Sequence, residues 1–355
     1  MIERIDWAGG LARFLSRWML ALLVASYALA SILPGPGLWI KDSRFLDHAA
    51  AGLGFHPTLP KLMLSFLLLN AGLHVRVSRM AELARRPGTM IAGLAANLAV
   101  PLAFIGVLLA TSGLWHNSEE FSELLIGLTL VAAMPIAGSS TGWTRAADGD
   151  MTLSLGLVMF STLLSPLLTP MILDAVGLVA PHHYGDDLVR LADHGTGRFL
   201  MVWVMVPSVL GMVGRLALGG ARVGRCEKGL KPLATVTLLI LCYANSASCL
   251  PQALGRPDWD FLILVAGVVT ALCVATFWAG YELGRALGLD HAGRSALMFG
   301  LGMNNNGTGL VLVASTFGGK PMILLPVLAY NLAQHLVAGC ANALHRPDQD
   351  AGLTL

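Results

Sequence analysis

Two polar, glycine-containing stretches interrupt segments that are otherwise apolar. The first covers residues 135–142, and the second covers residues 300–309 and includes three consecutive asparagines at 304–306. Amide side chains in an apolar environment are costly unless they meet polar partners. Where a helix breaks inside a membrane, freed carbonyl and side-chain oxygens suit a cation such as Na⁺, and the half-helix N-termini suit an anion. The paired interruptions therefore predict the binding site of a membrane transporter.

The composition places these stretches in a membrane protein. Hydrophobic residues make up 55% of the chain and charged residues 12%, against roughly 25% charged residues in soluble domains. The net charge of +2 and the lack of a basic stripe argue against a nucleic-acid partner. The five cysteines are scattered without a C-x-x-C pair, which favours packing roles over disulfides or a metal site.

The spacing of the apolar segments predicts an all-α polytopic protein with ten transmembrane helices. A bilayer core requires roughly 20 apolar residues per helix. The predicted segments are 17–35, 57–75, 88–112, 121–144, 151–176, 197–215, 232–254, 259–284, 294–317 and 321–344. Two inverted five-helix repeats, 1–176 and 177–355, place the interruptions in discontinuous helices 4 and 9, which we expect to cross.

Charge asymmetry predicts the orientation in a plasma or inner membrane. With ten spans, 16 of the 23 Lys and Arg residues fall on the side of the N-terminus, so both termini are predicted to be cytoplasmic. The first apolar segment is interpreted as a retained helix rather than a signal peptide. The longest outer loop, 177–196, is expected to be solvated. It contains His182, His183, Asp186 and Asp187, for which a metal site is the less favoured interpretation.

Polar residues inside the predicted spans are the candidate ligands. The small oxygens that suit a cation belong to Ser139, Ser140, Thr141, Ser154, Asn304 and Asn305. The alternative role for such residues is hydrogen bonding between helices. Three further polar positions stay open between two interpretations. Asn97 either donates a hydrogen bond to the carbonyl that Pro101 leaves free or binds a cation at a second site. Asn245 lines a substrate cavity or bonds a neighbour, and His335 is either a packing residue or an ionisable functional group.

Several stretches of the chain resemble motifs of the bile acid:sodium symporter family. Residues 71–83 resemble the family's G-L-T-L-x-x-x-D-F, and residues 135–142 resemble its P-G-G-T-A-S-N. The most specific match joins residues 149–154 and 161–170, which are similar to G-N-x-x-L-S and S-T-L-L-x-P-L-L-T-P. Residues 302–305 resemble G-x-Q-N, and His335 falls where bacterial members have W-H-N-I. The resemblance extends from the first predicted helix to the tenth.

The resemblance implies a panel domain of helices 1, 2, 6 and 7 and a core domain of helices 3–5 and 8–10. It also implies sodium sites behind the crossing and an organic anion as solute. Matched positions assign the first sodium site to Ser140, Thr141 and Ser154, the second to Asn304 and Asn97, and the substrate to Asn305 and His335. Beyond the resemblance, we expect alternating access, no cofactor unless Na⁺ is coupled, and a monomer or weak homo-oligomer. The further candidates for substrate contact are Gly138, Ser139, Asn306 and Asn245.

Two departures from the family pattern weaken the sodium sites. Gly300 stands where the family has a glutamate that serves both sites, and Val158 stands where it has a threonine. A carboxylate offsets the charge of a desolvated cation, whereas neutral oxygens do so less well. Three mechanisms stay open: weak sodium binding by neutral oxygens, proton coupling through His335, and an uncoupled facilitator in which asparagine amides replace the ions.

Other functional classes fit the sequence less well. An intramembrane enzyme would need a nucleophile and base in contact, and no H-E-x-x-H motif is present. Residues 138–142 match the letters of G-x-S-x-G, but they interrupt a predicted apolar helix and do not follow a strand, as a nucleophile elbow requires. A channel or sensor on the same fold would need a continuous pore, for which the chain has no repeated ring of charges. The distantly similar arsenite exporters use a cysteine in the fourth helix, and residues 121–144 contain none.

Overall fold

The computed structural model describes residues 7–43, 57–75, 87–180, 182–317 and 320–345. Within these ranges the regular structure is helical, and the two interruptions are joined by one isolated antiparallel bridge. The all-α prediction is therefore confirmed. Residues 79–83, part of one family-like motif, and the basic residues at 76, 79, 85 and 86 lie outside the described ranges.

The first half of the chain contains eight helices as far as the structure describes it. They are α1 (Trp7–Arg17), α2 (Met19–Ile32), α3 (Pro34–Asp42), α4 (Leu59–His74), α5 (Pro87–Ala110), α6 (Ser118–Ala133), α7 (Ser140–Ala146) and α8 (Met151–Val179). The predicted segment 121–144 is thus divided between α6 and α7, and the segment 151–176 corresponds to α8.

The second half continues the same pattern. Its helices are α9 (His182–Leu191), α10 (Gly197–Leu218, with a π-helical turn at Met201–Met205), α11 (Gly220–Ser246), α12 (Leu250–Gly255), α13 (Trp259–Ala286), α14 (His291–Gly302), α15 (Asn306–Thr316) and α16 (Leu324–His345). The predicted segment 294–317 is divided between α14 and α15. The predicted segment 232–254 spans the end of α11, a turn and α12.

Five stretches of the described chain are long and apolar enough to cross a bilayer unaided. They are Pro87–Ala110, Met151–Val179, Gly197–Leu218, Trp259–Ala286 and Pro321–His345. At about 1.5 Å per residue, each reaches the roughly 30 Å of a hydrocarbon core. The other predicted segments form shorter or interrupted helices. The polytopic membrane class is confirmed, whereas the ten-span repeat stays a prediction.

The expectation of a solvated loop at 177–196 is wrong, because α9 occupies its centre. Tyr184, Leu188 and Leu191 are buried along one side of α9, which packs on α6 and α8. Gly177 of α8 and Gly185 of α9 allow these two helices to pack closely, since a Cβ at either position would strike the backbone of the other helix. Asp187 is also buried and lies 2.6 Å from Lys320 Nζ. The side chains of His182 and His183 lie outside the described part.

The interrupted helices occupy the centre of the molecule. Every residue from 124 to 137 is buried, and so is every residue from 295 to 304. Helices that are apolar on all sides are enclosed by other helices, and α6 and α14 meet this description. Close approach at glycines fixes α14 in place, because a Cβ at Gly280 of α13 would lie 2.5 Å from Leu297 O.

Candidate binding site at the crossing of two broken helices

The first break follows from Pro135. The residue before a proline is disfavoured in the α-helical conformation, and Met134 is accordingly extended, with φ −76° and ψ 146°. Helix α6 therefore ends at Ala133, and α7 begins at Ser140. At the second break, Met303 is extended after Gly302. Asn305 then caps α15, because its side-chain oxygen accepts a hydrogen bond from Thr308 N at 3.3 Å.

The two breaks lie against each other, as predicted. Ile136 and Asn304 form an antiparallel bridge. Its hydrogen bonds run from Ala137 N to Met303 O at 2.9 Å and from Asn305 N to Pro135 O at 2.8 Å. Each break thus supplies backbone partners to the other, as unwound backbone within a membrane requires.

Hydroxyl groups from neighbouring helices bind further backbone groups of the breaks. Ser161 of α8 accepts from Ile136 N at 3.0 Å, and Thr169 of α8 donates to Ala133 O at 2.6 Å. On the other side, Tyr330 of α16 donates to Gly302 O at 3.2 Å. These partners are neutral side chains of the protein.

An amide chain connects the second break to α2. Asn304 N donates to Gln334 Oε1 at 3.1 Å, and Gln334 Nε2 donates to Asn331 Oδ1 at 3.2 Å. Asn331 Nδ2 then donates to Tyr27 Oη at 2.9 Å. The Asn304 side chain itself donates to Val131 O at 2.9 Å. The sequence interpretation missed Gln334, Asn331 and Tyr27, although two amides three residues apart on an apolar helix are a signal for shared function.

Thr144 connects two residues predicted for the first sodium site. Ser140 and Ser154 are fully buried, and Thr144 Oγ1 lies 2.9 Å from Ser140 O and 3.2 Å from Ser154 Oγ. Ser140 Oγ has no hydrogen-bond partner among the described residues. Thr141 is half-buried and donates to Gly138 O at 2.8 Å. The structure therefore brings Ser140 and Ser154 together through Thr144, a residue that the sequence interpretation did not select.

The residues predicted for the second sodium site also present buried oxygens. Asn304 Oδ1 and Asn97 Oδ1 are both enclosed, and neither has a hydrogen-bond partner in the part of the chain that is described. Such orphaned acceptors are compatible with a hard cation, which prefers carbonyl-type oxygens. Cation binding by these two oxygens stays a prediction.

The position of the absent glutamate is buried beside an apolar side chain. A Cβ on Gly300 would lie 3.1 Å from Leu157 Cδ1. Leu157 belongs to an apolar cluster with Met90, Ile136, Leu153, Val158, Ala296, Leu297 and Leu301. The described residues contain no group of three or more His, Cys, Asp or Glu side chains suited to a metal ion. A cation at the crossing would thus depend on neutral oxygens.

A cavity of about 820 Å³ ends at the crossing. Its wall includes the substrate candidates Gly138, Ser139, Asn305, Asn306 and His335, and also Thr141, Asn331 and Gln334. Much of the rest is leucine and methionine from α4, α8, α10 and α11. Asn245 is fully buried and is not among the residues that line this cavity. The cavity therefore gathers most of the predicted substrate contacts but not Asn245.

Charged side chains line one part of the cavity, here called its charged end. Arg145, Arg215 and Lys231 line it there, together with Glu227 and His74. Glu227 lies 3.5 Å from His74 and 3.9 Å from Lys231. Three cationic side chains against one carboxylate give this end a positive potential, which attracts anions.

Comparisons with known proteins agree with the features of the crossing. A model of the sodium bile acid symporter family matches residues 61–252. The chain is 26% identical over 214 residues to an uncharacterised protein of Bacillus subtilis, YbaS, covering 60% of this chain and 66% of that protein. It is 21% identical over 275 residues to an uncharacterised sodium-dependent transporter of the same organism, YocS, covering 78% and 79%.

A plant protein gives a shorter match. The chain is 24% identical over 233 residues to a probable chloroplastic sodium/metabolite cotransporter of Oryza sativa subsp. japonica. This alignment covers 64% of the chain and 52% of the plant protein, so the chain spans about half of that relative's length. The named functions are those of transporters, in agreement with the expectation that the chain is not an enzyme. Because the family match covers more than half of its residues, the chain belongs to the sodium bile acid symporter family.

Proposed function

We propose that this protein is a secondary transporter that moves a small organic anion across the membrane by alternating access. The observation that carries the proposal is the crossing of two broken helices at the end of a large cavity. Discontinuous helices that meet near the bilayer midplane are the usual location of substrate and ion sites in such proteins. The positive charge of the charged end and the amides at the crossing support an anionic solute.

The proposed architecture is two inverted repeats of five helices each. The antiparallel pairing of the two breaks supports a pseudo-two-fold axis through Ile136 and Asn304. Helices α2, α4, α10 and α11 pack on one another and are assigned to the panel domain. Helices α5–α8 and α13–α16 are assigned to the core domain. The rocking of one domain against the other would expose the crossing to each side in turn.

The proposed orientation places the charged end of the cavity in the cytoplasm. This end carries Arg145, Arg215 and Lys231, which the charge asymmetry of the sequence predicts to be cytoplasmic. The structure then corresponds to an inward-facing state of a multi-pass protein with both termini inside the cell. A solute could reach the crossing from the cytoplasm in this state.

The coupling to sodium is proposed to be weaker than a carboxylate-containing site would give. Two relatives are named as sodium-linked transporters, and the orphaned oxygens of Ser140, Asn304 and Asn97 support a retained cation. Gly300 and the adjacent Leu157 leave that cation without a carboxylate, so its desolvation is poorly offset. The amide chain through Gln334 holds the crossing when no ion is bound.

Uptake into proteoliposomes tests this proposal. A panel of small organic acids is supplied with sodium and pH gradients imposed separately. We expect accumulation of at least one acid, a modest acceleration by a sodium gradient, and loss of that acceleration in Asn304→Ala. No uptake of any acid would reject the transporter proposal.

Two other outcomes would revise the coupling alone. Uptake that does not respond to sodium identifies an uncoupled carrier. Uptake driven by a pH gradient and abolished in His335→Ala identifies proton coupling, and a proton-driven rate that survives His335→Ala excludes the histidine as the relay.

A further inference from the structure

A small apolar cluster adjoins the cavity. Leu64 and Leu68 of α4 line the cavity and also belong to this cluster. The cluster, here called the outer seal, consists of Leu64, Leu68, Leu200, Val204, Leu241 and Val311, each at most 7% exposed. These residues come from α4, α10, α11 and α15. The outer seal therefore joins three helices assigned to the panel domain with one assigned to the core.

Polar groups without partners lie along the helices of the outer seal. Asn245 is four residues beyond Leu241 on α11, which places both on the same helix face. It is fully buried, and neither its Nδ2 nor its Oδ1 has a hydrogen-bond partner among the described residues. On α15, Thr308 is three residues before Val311 and is equally buried, with its Oγ1 unpartnered in the same sense.

The cavity gives a direction to these positions. The lining residues are Glu227, Lys231 and Leu238 on α11, and Asn306 and Gly307 on α15, so both helices leave the cavity as residue numbers rise. Asn245 follows Leu238 by about two helical turns, or roughly 10 Å. Asn245 thus lies beyond the seal residue Leu241, on the side away from the cavity. Thr308 lies on the cavity side of the seal residue Val311.

A buried amide without partners is an unfavourable choice for a permanently closed interior. Native proteins pair nearly all their buried polar groups, and an exception needs a reason such as function or unseen water. A leucine at position 245 would avoid the desolvation cost of both amide atoms. The arrangement becomes reasonable if Asn245 meets water or solute in another conformation of the same protein.

We propose that the outer seal is the gate between the cavity and the outer side of the membrane, and that Asn245 lines the path that opens when the seal separates. This inference rests on the proposed function and names residues that form its outward half-path. Separation of α15 from α4, α10 and α11 would divide Val311 from the other seal residues. It would also expose the amide of Asn245 together with the hydroxyl of Thr308.

Cysteine accessibility tests the path without knowledge of the substrate. In a background with Cys226→Ser, Cys340→Ser, Cys242→Ala, Cys249→Ala and Cys273→Ala, Asn245→Cys is treated with a membrane-impermeant thiol reagent from each side. We expect modification from the outer side only, at least about tenfold faster than in Ser246→Cys. Ser246 is a matched control, since it is equally buried, adjacent, and already bonded to Cys242 O at 2.6 Å.

Three results of this labelling experiment would overturn the inference. They are the absence of modification from the outer side, a rate equal to that of Ser246→Cys, and modification from the inner side. Because the labelling needs no transported solute, its failure is distinguishable from a failure of the proposed transport function.

A second variant separates a functional amide from a structural one. Asn245→Leu removes two unpartnered polar atoms, so its melting temperature is expected to equal or exceed that of the wild type. Uptake of the anion identified in proteoliposomes is expected to fall about tenfold, since the open path loses a polar partner. Wild-type uptake by Asn245→Leu, or a lowered melting temperature that accounts for the loss, would contradict the assignment.

Discussion

The two breaks are stabilised in different ways. The first break depends on hydroxyls of α8, where Ser161 and Thr169 bind the backbone at Ile136 and Ala133. The second break has one hydroxyl partner, Tyr330, at Gly302 O, and otherwise depends on amides. Gln334 accepts from Asn304 N and donates to Asn331, which donates to Tyr27. A hydroxyl can rotate to a new partner, whereas an amide chain has a fixed direction of donors and acceptors. The second break is therefore the more specific and the more vulnerable of the two.

The orphaned oxygens follow the same division. Near the first break, the hydroxyl of Ser140 lacks a partner within the described chain, while Thr144 and Ser154 are bonded to each other. At the second break, four buried side-chain atoms have no hydrogen-bond partner among the described residues: Asn304 Oδ1, Asn306 Nδ2, Asn306 Oδ1 and Thr308 Oγ1. The second break thus offers a bound ion or solute more unpartnered polar atoms than the first break does. Gly300, which replaces the glutamate of the family pattern, lies on the helix that leads into this second break.

The largest effect is expected from Gly300→Glu. The new carboxylate would enter an apolar cluster against Leu157, and an unpaired buried charge costs about 3–5 kcal/mol of stability. Thermal unfolding of the purified variant measures this loss. Combining Gly300→Glu with Leu157→Ala should recover part of the stability, and the recovery should be greater in sodium than in potassium chloride. An equal recovery in both salts would argue against a latent sodium site at this position.

The next largest effect is expected from Gln334→Leu. It leaves Asn304 N and Asn331 Oδ1 without a partner in a buried site, at about 1–3 kcal/mol for each unpaired group. We expect a lower melting temperature and at least about a tenfold loss of uptake. Gln252→Leu is the matched control, because it makes the same change at an exposed position that does not line the cavity, and it should retain wild-type activity. If both variants behave alike, the amide chain does not position the second break.

A smaller effect is expected at the first break from Ser161→Ala. The change leaves one buried group, Ile136 N, without its acceptor at about 1–3 kcal/mol, whereas Gln334→Leu leaves two such groups. Uptake should fall less than in Gln334→Leu, since the bridge to Asn304 remains in place. The ratio of the two uptake losses measures the difference between the breaks. A greater loss in Ser161→Ala would reverse the comparison.

The smallest effect is expected from Arg145→Gln at the mouth of the cavity. This exposed side chain lines the charged end of the cavity and makes no contact described at the crossing. Its loss should raise KM for an anion about twofold, with kcat unchanged, and the effect should vanish as salt screens the charge. Arg285→Gln is the control, because that exposed arginine pairs with Glu282 at 3.4 Å and does not line the cavity. Equal changes in KM for both variants would exclude a local effect of Arg145.

Sequence reasoning failed where helices are amphipathic rather than apolar. The stretch 177–196 was interpreted as a loop from its charges, yet Tyr184, Leu188 and Leu191 form a buried side of α9. In the same way α11 begins at residue 220 rather than 232, because a helix can continue into water through the charged stretch that follows Gly219. Apolar run length locates membrane segments, but it does not locate helix ends outside the bilayer.

The sequence by itself determined the helical class, the position of both breaks and the expectation that they touch, because proline, glycine and apolar run length act locally. Only the tertiary structure decided which side chains complete the crossing. Ser161 meets Ile136 across 25 residues, and Asn331 meets Tyr27 across 304. Such pairs depend on how whole helices pack, and no local rule specifies them. The same packing placed Leu157 beside Gly300 and enclosed Asn245 behind the outer seal.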